Sequence, residues 1–172
     1  TIYFITVLSG LFSWFLPYFL PTEYAAIQYL ITPCLLAPLF YTLSETTAVG
    51  IAISRKTHFS MYASVGAMLI NALGNYLLVP DLGAAGAAIS TAFAFWCFYI
   101  FRTEFSRRVW RRIPRVKSYS VISILLITSI LNTILIDSNI FIWSLLLPIG
   151  LFSFKPSIIL LYREWFQRYV NK

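Results

Sequence analysis

Glu45 is the residue of this chain with the most chemical consequence. It lies inside a long apolar run, ten positions before Arg55, or about 15 Å from the end of a helix that rises 1.5 Å per residue. An acidic group at the centre of a membrane span costs roughly 2.5–3.5 kcal/mol on insertion scales. Its neighbours Ser44, Thr46 and Thr47 add little apolar compensation, so this stretch is expected to face a bundle interior or a watery cavity and not lipid. Two roles are open: a cavity-lining carboxylate that meets a solute or a proton, or a neutral carboxyl that hydrogen-bonds a neighbouring helix. The first is favoured. Arg55 and Lys56, at the end of the same run, have the chemistry to attract an anionic head group or phosphate; anchoring the chain at the membrane surface is their simpler role. Asn71 and Asn75, with Ala63 and Ala67, recur every four residues and share one helix face. Gly86, Ser90 and Ala94 repeat that spacing. Close helix packing with amide hydrogen bonds explains both stripes, and the two asparagines are secondary candidates for a cavity wall.

No catalytic constellation accompanies these residues. The chain has six acidic residues and a single histidine, His58, scattered over both sides of the membrane and different segments, whereas a hydrolase or transferase needs a nucleophile, base or metal site that converges. Cys34 and Cys97 sit inside apolar runs and read as small packing residues. The expectation is therefore no enzyme, no metal and no cofactor.

The elements that position Glu45 follow from composition. Of 172 residues, 59% are hydrophobic and 11% charged, against roughly 25% charged in soluble domains, and the apolar runs approach the ~20 residues that span a bilayer. The fold class expected is all-α: a polytopic membrane protein of six transmembrane helices, with a bundle over residues 1–161 and a cytoplasmic or interfacial tail over residues 162–172. The spans run from Ile2 to Leu20, Ala26 to Ile53, Phe59 to Val79, Ala84 to Phe101, Ser120 to Ile136, and from Ile140 to a point between Phe154 and Leu161. Pro33 and Pro38 are expected to kink or break the second, and Pro80 to stop the third. The tail mixes Trp165, Phe166 and Tyr169 with Arg163, Arg168 and Lys172, as an interfacial helix does.

Topology follows from the cations. Arg107, Arg108, Arg111, Arg112, Arg115 and Lys117 crowd a basic loop read from Arg102 to Lys117, and Arg55 and Lys56 mark another. The loops after spans one, three and five carry Glu23, Asp81 and Asp137 but no Lys or Arg. This alternation puts both termini on the cytoplasmic side. It also accounts for the net charge of +7 without nucleic acid, for which no recognition motif is present.

Two stretches, YTLSETTAVGIAISRKTHF from Tyr41 to Phe59 and NALGNYLLVPDLGAAGAAIST from Asn71 to Thr91 followed by RTEFSRRVWRRIPRVK, resemble the bacterial polysaccharide and O-antigen flippases of the multidrug/oligosaccharidyl-lipid/polysaccharide exporter superfamily. The likeness covers roughly residues 20–117. It implies one bundle of a two-bundle transporter, here a C-terminal half or fragment that works with an N-terminal bundle or a second chain. The implied activity is translocation of undecaprenyl-diphosphate-linked oligosaccharide across the bacterial inner membrane, by rocking of two bundles about a central cavity. Glu45 would then face the sugar or a coupling ion, and Arg55 and Lys56 would stand at the entrance where the diphosphate docks. The alternatives are a drug or cation exporter of the same superfamily, which would place several carboxylates inside its spans, and a membrane glycan polymerase or ligase, which would need a large external catalytic loop.

Overall fold

The computed structural model describes residues 2–24, 27–110 and 116–134. Among them the chain is all-helical. Helix α1 (Ile2–Phe12) passes into a tighter 3-10 segment (Ser13–Tyr18), and a short 3-10 turn (Thr22–Tyr24) precedes α2 (Ile27–Ile53). Helices α3 (His58–Leu82), α4 (Ala84–Val109) and α5 (Val116–Ile134) follow. Three of these, α2, α3 and α4, are long and apolar enough to cross a membrane, and α1 and α5 are shorter apolar helices. The expected sixth span and the tail lie outside the described residues.

Helix α4 is the hub. Helix α2 packs along one side of it and α3 along another, while α2 and α3 hardly meet. The partners of α2 and α4 keep a nearly constant offset: Tyr41 with Phe98, Ser44 with Arg102, Thr47 with Thr103. The two helices therefore run parallel. The partners of α3 and α4 move in opposite senses, Phe59 with Phe105, Asn71 with Thr91 and Asn75 with Ser90, so this pair is an antiparallel hairpin. Its turn is Gly83 alone, at φ 55° and ψ −128°, a conformation open to residues without a Cβ. The glycine at 86 lets the two helices close up, since a Cβ there would run into the Leu78 carbonyl.

Helices α1 and α5 complete the core, in which Tyr3 and Val7 meet Leu36, Phe40, Tyr99, Ile122 and Leu125. Helix α3 stays at the periphery. Of its residues only Ala63 is buried, and Met61, Tyr62, Leu69, Leu73, Tyr76 and Leu77 are exposed, the pattern of a helix that shows most of its surface to hydrocarbon.

Several expected boundaries change. The first span is an α-helix only to Phe12; beyond it the helix tightens, with Pro17 inside the 3-10 segment unable to donate a backbone bond. Pro33 and Pro38 do not break α2, which is continuous over 27 residues. The carbonyl that Pro33 leaves without a donor, four residues back at Tyr29, accepts a hydrogen bond from the Thr133 hydroxyl of α5 at 3.1 Å. A neighbouring hydroxyl that satisfies the freed carbonyl is how membrane helices tolerate proline. Pro80 likewise lies inside α3, and the helix runs through Asp81 to Leu82. Helix α4 does not stop at Phe101 but continues to Val109, which takes Arg102 out of the expected basic loop and into the helix packing.

Candidate functional site

Helix α2 brings Ser44 and Glu45 against α4 because its buried positions, Leu36, Ala37, Phe40, Ser44, Thr47, Ala48 and Ile51, follow the three-and-four spacing of one helix face. Gly50 extends that face to the helix end, where its missing Cβ leaves room for Ser106 and Trp110. The serine and threonine hydroxyls of this stretch return bonds to their own helix: Ser44 donates to the Tyr41 carbonyl at 2.7 Å, Thr46 to Leu43 at 2.7 Å and Thr47 to Ser44 at 3.0 Å.

Opposite them, Arg102 supplies the charge that Glu45 lacks on its own helix. Its Nη1 donates to Glu45 Oε1 at 2.5 Å and to Ser44 Oγ at 3.0 Å, and Nη2 reaches Glu45 Oε2 at 3.5 Å. The guanidinium lies 5.1 Å from the centre of the Phe98 ring, a cation–π contact. The partners differ in access, with the Arg102 side chain 11% exposed and the Glu45 side chain 49% exposed. Arg102 Nε has no partner among the described residues. The pair lies within two helices of membrane-crossing length, eight residues before the end of α2 and seven before the end of α4, about 10–12 Å along the helix axis.

Beside this pair opens a cavity of about 500 Å³. It exists because α2 and α3 both lean on α4 and leave a gap between them. Tyr41 closes it from α2, Phe95 and Phe98 from α4, and Ser64, Met68, Asn71 and Asn75 from α3. Tyr41 and Phe98 stack with ring centres 6.1 Å apart. Both rings border the cavity. Tyr41 stands one turn before Glu45 on α2, and Phe98 is in cation–π contact with Arg102, so the ion pair lies next to the cavity's edge.

The expected site residues thus fall into three places. Glu45, expected to line the cavity, is bonded to Arg102 of the neighbouring helix and is not among the residues that line it. Asn71 and Asn75 line the cavity and also hold the α3–α4 hairpin: Asn75 Nδ2 donates to Asn71 Oδ1 at 2.7 Å, Asn71 Nδ2 to Thr91 at 3.3 Å, and Ser90 to Asn75 Oδ1 at 2.5 Å. Packing and cavity lining are both true of them. Arg55 and Lys56 are not part of this cluster; they are exposed in the turn after α2. Arg102 was not legible as a site residue, nor were Tyr41 and Phe98. Among the described residues no group of His, Cys, Asp and Glu comes together to hold a metal ion.

This arrangement defines a helical protein with membrane-length helices, an ion pair within them and an aromatic, amide-bearing cavity alongside. No family model, no curated protein and no solved structure matches the chain.

Proposed function

We propose that this chain is one bundle of an inner-membrane flippase for undecaprenyl-diphosphate-linked oligosaccharide, as its resemblance to the polysaccharide exporters implies. The observation that carries the reading is the Glu45–Arg102 pair set inside two membrane-length helices, next to Tyr41 and Phe98, which line the cavity. Ionisable residues inside spans are rare and mark solute paths. The rings of Tyr41, Phe95 and Phe98 suit the apolar faces of a sugar. The Asn71 and Asn75 amides, each nitrogen and oxygen already in one hairpin bond, keep a second N–H and a second lone pair for its hydroxyls. Arg55 and Lys56, at the basic end of the bundle, stand at the expected entrance for a diphosphate.

The same pair weighs against a cation-coupled drug exporter. Glu45 already holds a guanidinium, and an arriving cation would have to displace it. Both ends inside and the inner-membrane location belong to this reading too, drawn from the distribution of cations.

The test uses the full-length context in a strain that depends on the protein for surface polysaccharide. Glu45→Gln, which keeps an acceptor for Arg102 but removes the charge, is expected to lower surface polysaccharide severalfold, while Glu23→Gln leaves it near normal. Equal effects of the two substitutions at equal protein levels remove Glu45 from the path.

A further inference from the structure

The turn between α2 and α3 places a cation where glycine is the usual residue. The Lys56 N–H bonds to the Ile51 carbonyl at 3.3 Å and the Arg55 N–H to the Ala52 carbonyl at 3.1 Å, the two-bond stop that ends many helices with a left-handed glycine. Here that position is Arg55, at φ 55°, the one non-glycine residue with positive φ among the described residues. Glycine would take this conformation with less strain. A cation near the helix end does complement the helix dipole, but Lys56, the next residue, supplies that charge as well. What Arg55 adds is an exposed guanidinium at a fixed place.

Other cations gather at the same end. Phe59 at the start of α3 packs against Phe105 of α4, ring centres 5.2 Å apart, and Arg108 follows Phe105 by three residues on the same face. Arg55, Lys56 and Arg108 are all exposed. The two carboxylates of this half of the bundle do not offset them: Glu45 is held by Arg102, and Glu104 is held by Arg107 at 3.0 Å and accepts from the Tyr119 hydroxyl at 2.9 Å. The sequence continues the charge with Arg111, Arg112, Arg115 and Lys117.

We infer that this end of the bundle is a binding surface for the phosphates of anionic bilayer phospholipids, with Arg55, Lys56 and Arg108 as the headgroup contacts. Bilayer lipid fits better than a soluble polyanion because of what adjoins the cations. Ile53, Met61 and Tyr62 are 55–59% exposed and Trp110 is 40% exposed, so the charges crown an apolar, aromatic flank. A phospholipid covers both, headgroup on the cations and acyl chains along the helices, as basic sites at the ends of membrane helices do. A nucleic acid or free phosphate leaves the flank bare. The inference shares Arg55 and Lys56 with the diphosphate entrance proposed above but requires only that these helices cross a bilayer, so its failure would leave the Glu45 test of that reading untouched.

The experiment titrates the full chain, purified in dodecyl maltoside, with phosphatidylglycerol or phosphatidylcholine and reads bound lipid by native mass spectrometry. Phosphatidylglycerol is expected to bind the more tightly. Lys56→Gln and Arg108→Gln should each weaken it about fivefold, the effect of one cation near a phosphate surface, with phosphatidylcholine unaffected. Arg55→Gly should weaken it to a similar degree while the melting temperature in neutral detergent stays level or rises, because the strained position is relieved. Equal binding of the two lipids overturns the inference, as does full phosphatidylglycerol affinity in Arg55→Gly or in the Lys56→Gln, Arg108→Gln double variant. So does competition by inorganic phosphate or a single-stranded oligonucleotide at the affinity of the lipid.

Discussion

Glu45 and Arg102 are unequal partners. Arg102 is packed among protein atoms, with its side chain 11% exposed, whereas the Glu45 side chain is 49% exposed. Truncating the acid therefore strands a buried guanidinium, and truncating the base leaves a carboxylate that is not enclosed by the packed helices. The pair is expected to contribute about 1–2 kcal/mol of coupling, between the values for exposed and fully buried pairs. A double-mutant cycle with Glu45→Gln and Arg102→Gln, read by unfolding in detergent, measures it. Glu45→Gln alone should cost more than Arg102→Gln alone, and a coupling near zero would show the pair to be incidental. Half of this site was legible in the sequence. A carboxylate in an apolar run announces itself, because nothing nearby solvates it. Arg102 did not, because it is the first cation of a basic segment and reads as the start of a loop. The signal that would have found it is depth: Glu45 stands eight residues from the end of α2, and Arg102 seven from the end of α4, so parallel helices bring them level.

At the scale of elements, the prolines are where local chemistry misled. Pro33 marks an expected kink or break, yet α2 runs through it. The reason lies in α5, where the Thr133 hydroxyl shares its one proton between the Tyr29 carbonyl at 3.1 Å and the Ser129 carbonyl at 2.9 Å, and the Asn132 amide donates to Thr32 at 3.5 Å. Such compensation comes from about a hundred residues away, and no local reading of α2 could contain it. The small-residue stripes were legible for the opposite reason. Asn71, Asn75, Gly86 and Ser90 meet within one hairpin, so four-residue spacing in adjacent helices is enough to pair them. The proline account makes a conditional prediction. Thr133→Val keeps the side-chain volume but leaves the part-buried Tyr29 carbonyl without this partner, at a cost of about 1 kcal/mol. In a Pro33→Ala background residue 33 regains an N–H that can take that carbonyl, so the same change should cost clearly less. Equal costs in the two backgrounds, read from melting in detergent, would mean the hydroxyl does not serve the proline.

For the whole molecule the question is which way the helices run. The parallel α2–α4 pair and the antiparallel α3–α4 hairpin fix one sense: the turn holding Arg55 and Lys56 lies at one end of α3, and Asp81 and Gly83 at the other. With 25 residues, α3 is about 37 Å long, more than the ~30 Å hydrocarbon core, so its two ends emerge on opposite faces if it crosses. The charges divide in the same way, with Arg55, Lys56, Arg107 and Arg108 at one end of the hairpin and Asp81 at the other, as the positive-inside rule requires of a crossing helix. Arg102 now stands apart from that rule, since it serves the ion pair and not the anchoring of a loop. The prediction is made in a background of Cys34→Ala and Cys97→Ala. An impermeant maleimide applied to intact spheroplasts should label the Asp81→Cys variant at once and the Lys56→Cys variant only after permeabilisation. The reverse order would keep the crossing and invert the expected orientation. Labelling of both variants from the same side would mean that α3 does not cross the bilayer, and the ion pair and cavity would then need an explanation outside transport.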